Sequence, residues 1–193
     1  MTTKFKTAQP ITEDQRSMMQ VLLDAAKKTR ESHRYSGDEK MLPMAIIYKP
    51  DGAMTMMMLT WANDKEKYQM ARMANFTARK EKAASLSFVT DTRWVEGEKF
   101  AEHFKIANVK TMGIDAFQKV YHRILNEHGG EIKNFPREIW NEAVTVFSNG
   151  PQFPLTVQMA PYVEGPHDTI KWLEAEMPKH DGYKSDLLTD WWA

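Results

Sequence analysis

The chain has 193 residues, 42% of them apolar, which is length and apolar material enough for one domain with a substantial core. Lys plus Arg and Asp plus Glu both number 26, so no global field draws the protein towards nucleic acid or an anionic membrane. The absence of cysteine excludes disulfides, thiolate zinc sites and cysteine nucleophiles and favours a cytoplasmic protein, and no stretch approaches the ~18 apolar residues that span a bilayer.

Residues 1 to 10 carry no periodicity and no apolar core of a secretion signal, and are predicted to be a flexible arm ahead of a single domain at 11–193. Thr12-Glu-Asp-Gln15 matches a capping box, which starts a first helix. Met18, Leu22, Ala25 and Ala26 are its expected buried stripe. Lys27, Lys28 and Arg34 make its end basic before Ser36-Gly37, where it stops. Its ordinary role is to cover one face of a sheet.

Met44-Ala-Ile-Ile-Tyr48 and Ala53-Met-Thr-Met-Met-Met-Leu-Thr60 are apolar runs on either side of Lys49-Pro-Asp-Gly52. Pro50 presets a turn φ and Gly52 tolerates φ > 0, so the two runs form a hairpin. The methionines at 54, 56, 57 and 58 read as core filling, although four in five positions would also suit an adaptable binding groove. After Trp61, Asn63 is a candidate cap for a second helix, with Met70, Met73, Ala74, Thr77 and Ala78 as its apolar stripe. That helix ends near Lys82. Its basic end, Arg72, Arg79, Lys80 and Lys82 against Glu81, is an ordinary solvated helix end before it is a phosphate-binding patch. Ala84, Leu86 and Phe88 then alternate with Ser85 and Ser87, a strand with one buried face that leads to Asp91-Thr-Arg-Trp94 at its carboxyl end.

Lys49-Pro-Asp-Gly52, Trp61 with Asn63-Asp-Lys-Glu-Lys67, Ala78-Arg-Lys-Glu-Lys-Ala83 and Ser87-Phe-Val-Thr-Asp-Thr-Arg-Trp94 together resemble a loose group of uncharacterised small phage and bacterial proteins. These share a Gly-containing hairpin, an Asp-x-x-Lys helix and a strand ending in an acidic-x-Trp-like cluster. The resemblance covers about fifty contiguous residues, with a fainter echo in Arg137 to Glu174. Arg93 between the acid and the tryptophan, and the long insertion that follows, depart from it. It implies a small α+β protein, phage-encoded and so working in the host cytoplasm, and carries no activity with it.

Beyond Val95, Glu98 to Phe104 and Asp115 to His128 have helical spacing, the second with Phe117, Val120, Tyr121, Ile124 and Leu125 on one face and Gly129-Gly130 as its stop. Residues 97–135 are therefore expected to form a helical insertion after the third strand. Pro136 to Glu142 suits a helical turn leading into a strand at Val144-Thr-Val-Phe147. Leu155 to Met159 and Thr169 to Leu173 complete an antiparallel meander, with Pro161 marking a frayed or edge position. The tail from Met177 is polar apart from Leu187, Leu188, Trp191 and Trp192.

No P-loop, dinucleotide fingerprint, Gly-x-Ser-x-Gly elbow, His-Glu-x-x-His or EF-hand loop occurs. His122 and His128 are six apart and lie on different helix faces, so neither a structural metal nor another cofactor is expected. Glu98 and Glu102 share a face but read as surface partners of Lys99 and Lys105. The fold expected is a single α+β domain with a mixed sheet of five or six strands flanked by helices. Asp91, Arg93 and Trp94 are the candidate site, Arg93 to hold an anionic group, Asp91 to orient it and Trp94 to stack. The ordinary alternative is an Asp-Arg turn with Trp94 packed under the insertion. With six tryptophans and no catalytic signature, a non-enzymatic binding protein with a protein partner leads. A small hydrolytic or phosphate-handling enzyme acting on an anionic ligand, with Asp51 or His103 joining Asp91 and Arg93, is the runner-up. Nucleic-acid binding through the second helix comes third.

Overall fold

A computed structural model describes residues 13–32, 41–61, 64–151, 153–165 and 169–174. It is an α+β domain: a six-stranded sheet with helices on both faces and a helical subregion at one end. The proposed arm at 1–10, Asn63 and the apolar tail at 187–192 lie outside the described residues.

Helix α1 (Glu13–Ser32) buries Gln15, Met19, Leu22, Leu23, Ala26 and Arg30, a stripe one step round from the expected one, with Ala25 left exposed. Strands β1 (Met44–Tyr48) and β2 (Met54–Met58) form the hairpin, closed by Gly52 N–H to Lys49 O at 3.0 Å and Lys49 N–H to Ala53 O at 2.9 Å. Gly52 stands at φ +86°, which is why glycine follows Pro50-Asp51. Helix α2 (Asp64–Lys80) packs Ala71, Ala74 and Ala78 onto the sheet, and these small side chains let it approach closely. It is followed by β3 (Ser85–Val95).

The insertion holds α3 (Gly97–His103), α4 (Val109–Met112) and α5 (Ile114–Glu127) and ends at Gly129 and Gly130, both with positive φ. Two short 3₁₀ turns, Ile132–Asn134 and Arg137–Ile139, then lead into β4 (Trp140–Gly150), β5 (Phe153–Glu164) and β6 (Ile170–Trp172). The order across the sheet is β2-β1-β3-β4-β5-β6. Every pairing is antiparallel, so the sheet contains no parallel pair of the kind a mixed sheet implies. The reason lies in α2. It carries the chain from β2 past β1 to β3, so two strands of like direction are separated by one of opposite direction. Pro161 sits in β5 opposite Ala143, inside the sheet, one residue beyond the three that β6 pairs with.

Period-2 alternation gives the inner strands β1, β3, β4 and β5 two covered faces. On one, Ala45, Ile47, Leu86, Phe88, Phe147 and Val157 meet α2; on the other, Ile46, Val89, Val144, Val146, Ala160 and Tyr162 meet α1. A third core lies within the insertion. Phe100, fully buried, contacts the rings of Phe104, Phe117, Tyr121 and Phe135 at centroid distances of 4.7 to 5.8 Å, and Val95, Ile139 and Trp140 join that cluster to the sheet.

Candidate functional site

Asp91, Arg93 and Trp94 do not lie past the strand end. β3 continues through them, because β4 is as long as β3 and pairs with it as far as Val95 opposite Trp140. In a strand, alternate side chains take opposite faces. Asp91 and Arg93 share the α1 face with Val89, while Trp94, half-buried, takes the other face opposite Asn141. The three side chains therefore do not converge on one ligand. Nor is there an Asp-Arg turn: the residue that enters the insertion's core from this end of β3 is Val95.

Asp91 is buried and spoken for. Its carboxylate accepts from Met41 N–H at 2.8 Å and from the Tyr162 hydroxyl at 3.4 Å, and lies 3.5 Å from Arg30 Nε. Arg30 also donates to the Tyr162 hydroxyl at 3.3 Å and to Glu164. Burial alone would lower the Arg30 pKa; the Tyr162 bond and the charges of Asp91 and Glu164 outweigh it and raise it. Burial and the Asp91 charge push the Tyr162 phenol well above its ordinary value, so it stays a neutral donor.

Arg93 has a separate partner. Its Nε meets the buried Glu142 across the β3–β4 pair at 2.7 Å, and its guanidinium lies 5.3 Å from the Trp140 ring centre. Arg137 approaches the other Glu142 oxygen at 3.6 Å, and its guanidinium lies 4.1 Å from the centre of the Trp140 ring. Both oxygens of the Glu142 carboxylate thus face guanidinium groups.

Folding does not bring Asp51 to this place. Register puts Tyr48 opposite Ser85, so the hairpin turn sits at the opposite end of β3 from Arg93, and Asp51 accepts from Ala53 N–H at 3.0 Å within its own turn. His103 lies 4.0 Å from Glu138 on the insertion. His128 Nδ1 meets Ile124 O at 2.8 Å, an end-of-helix contact. Among the described residues no group of three His, Asp or Glu side chains is arranged to hold a metal.

What the structure does place beside the expected site is a cleft of about 720 Å³. β1 pairs only with Ser85 to Val89, whereas β3 runs six residues further with β4 on one side. The cleft occupies the space where β1 has ended. Leu59, Phe88 and Phe147 floor it, Trp61 and Ile132 wall it, and Thr90 to Arg93 form its strand edge; Lys67 and Lys133 lie among its lining residues. Lys133 is balanced by Glu131 at 3.2 Å, and no carboxylate among the described residues lies within ion-pair distance of Lys67. Since Val89 turns its N–H and C=O towards β1, alternation turns those of Arg93 to the same side, into the position β1 has vacated. Sequence reasoning missed Trp61 and Lys67 as lining residues, and missed Arg30, Tyr162 and Glu142 as the partners of the candidate pair.

No helix among the described residues is long and apolar enough to cross a membrane. No protein-family model, curated protein or solved structure matches the chain.

Proposed function

We propose that the protein is a non-enzymatic binding protein whose working surface is the cleft between β3 and the helical insertion, and that its occupant is an extended segment of a partner protein. The observation that carries this reading is the unequal length of β1 and β3. It leaves the Thr90–Val95 half of β3 with a strand on one side and a walled apolar groove on the other. An extended segment laid there gains main-chain bonds to the strand edge and places alternate side chains against Trp61, Leu59 and Ile132. Lys67 in the lining favours an acidic residue in that segment. The volume falls within the ~300–1,000 Å³ range of ligand clefts.

The hydrolytic reading has less support, because Asp91 and Glu142 are committed to Arg30 and to Arg93 with Arg137. The cytoplasmic setting follows the cysteine-free composition, and a phage origin rests on the sequence resemblance alone. Selection from a random 12-residue peptide library tests the proposal. Peptides of alternating apolar pattern with an acidic residue are expected. Trp61→Ala and Lys67→Glu should each weaken them at least tenfold, with amide-exchange protection at Thr90 to Val95. Failure to enrich any peptide on the folded protein, or protection confined elsewhere, overturns it.

A further inference from the structure

One of the sheet's two edge strands is β2, and its exposed face is made of methionine. Met54, Met56 and Met58 are 61%, 60% and 51% exposed, so they are not core filling; Met57, between them, packs under α2. Thr55 on that same covered face donates to Glu81. The hairpin's hydrogen bonds fix how the backbone of β2 is turned. Lys49 N–H bonds to Ala53 O and Leu59 N–H to Pro43 O, so the intervening bonded pairs are Ile47 with Thr55 and Ala45 with Met57. The N–H and C=O groups of Met54, Met56 and Met58 therefore point away from β1, off the edge of the sheet. The three residues with exposed side chains are the three with outward backbone.

Natural edge strands usually carry a lysine, a proline or a bulge that discourages pairing. β2 has none of these, and no charged residue lies between Asp51 and Trp61. We infer that β2 pairs antiparallel with β2 of a second copy of this chain, about a two-fold axis at Met56, joining two sheets into one. In that register Met56 faces Met56, and Met54 faces Met58 of the other copy. All three outward residues of each strand then fall in bonded pairs, giving ~6 inter-strand hydrogen bonds. The three methionines of each copy meet on one face, where the flexible thioethers adapt to one another. No like charges are brought opposite one another, since Asp51 comes to face Trp61. A strand of five residues is much smaller than the ~20–30 residues per side of a standard interface, so the dimer is a weak one whose population depends on protein concentration.

The absence of cysteine makes the register directly readable. Opposed residues in a bonded antiparallel pair have Cα atoms ~5.5 Å apart, within disulfide reach. Met56→Cys is expected to cross-link to itself under mild oxidation. Met54→Cys alone should not, its two copies standing four residues apart along the pair, but an equal mixture of Met54→Cys and Met58→Cys should give the mixed dimer. Val21→Cys, equally exposed on α1, is the control and should stay monomeric. Sedimentation of the wild type up to 0.5 mM should show twice the protomer mass, and Met56→Lys should shift the midpoint at least tenfold in concentration. A wild type that stays monomeric throughout overturns the inference and leaves the edge to another protein. So does a dimer that Met56→Lys does not weaken, or one in which Met54→Cys cross-links as well as Met56→Cys.

Discussion

Removing the Asp91 carboxylate is the sharpest test of how the centre of this fold is held. In Asp91→Ala, Arg30 keeps Glu164 and the Tyr162 hydroxyl, but Glu164 is nearly half exposed and so is the weaker anchor for a side chain only 6% exposed. Met41 N–H loses its acceptor. Breaking a buried pair from one side costs ~3–5 kcal/mol, and orphaning a buried N–H costs ~1–3 kcal/mol. The two are not additive here, because Glu164 still neutralises Arg30, so a total of ~3–4 kcal/mol is expected.

Against a typical domain stability of ~5–15 kcal/mol this is a large loss, and urea unfolding will show it as a midpoint lowered by roughly 1.5–2 M with the slope unchanged. The double variant Arg30→Met with Asp91→Leu removes both charges and fills the space. It should recover most of the loss, since an apolar replacement of a buried pair is often neutral or better. An Asp91→Ala variant within about 1 kcal/mol of wild type would refute the assignment, as would a double variant no more stable than the single one.

Arg93→Met should cost less, about 1–2 kcal/mol, because Glu142 keeps Arg137 at 3.6 Å; a loss larger than that of Asp91→Ala in the same urea series would contradict this ordering. Phe100→Ala removes a fully buried ring at the centre of the insertion's core and should destabilise by ~3–5 kcal/mol, with amide exchange rising first between 97 and 139. Burial raises the Glu96 pKa, but hydrogen bonds from Asn141 at 2.6 Å and Lys99 at 2.9 Å, with the Lys99 charge, outweigh it and hold the group below its ordinary 4.5. A depressed carboxylate stabilises fully above its unfolded value, so this contribution is intact above pH 4.5 and is lost as pH falls through the lower folded value. Asn141→Ala should move the NMR titration of Glu96 back up; an unmoved titration would remove that hydrogen bond from the explanation.

The elements themselves were legible because each is written in local chemistry. The Pro50-Asp51-Gly52 turn and the glycine stop at 129–130 depend on neighbours a few residues away, whereas of the stripe expected on α2 Ala74 and Ala78 are buried, Met73 is exposed and Ala71 was not foreseen. What failed to show was set by strand order. Met54, Met56 and Met58 alternate as a buried strand would, and only the position of β2 at the sheet's margin leaves them in solvent. Arg30 was readable in principle, lying four residues beyond Ala26 on the stripe that carries Gln15, Met19 and Leu22. A basic residue near a helix end has a ready local explanation, however, and its partners Asp91 and Tyr162 lie 61 and 132 positions away in the chain. Asp91 and Arg93 were mistaken for loop residues for the same reason: charges in mid-strand are tolerated only where other elements bring counter-charges, and sequence spacing does not reveal those.

These buried pairs also explain why the cleft has the shape it has. β1 begins at Met44 opposite Val89, and the chain leading into it would ordinarily continue the pairing along β3. Here the Asp91 carboxylate takes Met41 N–H instead, pinning the run Met41-Leu42-Pro43 at the margin of β3, and these three residues are a wall of the cleft. Arg30 fixes the Asp91 carboxylate in turn from α1, on the far face of the sheet. Asp91 is therefore a positioning residue for the groove. In Asp91→Asn the side-chain oxygen can still accept from Met41 while the charge is lost, so peptide binding per folded molecule should persist as stability falls. In Asp91→Ala the wall loses its tether, and binding per folded molecule should fall together with stability. Equal binding by the two folded variants would separate the ion pair from the cleft and leave it a purely structural bond.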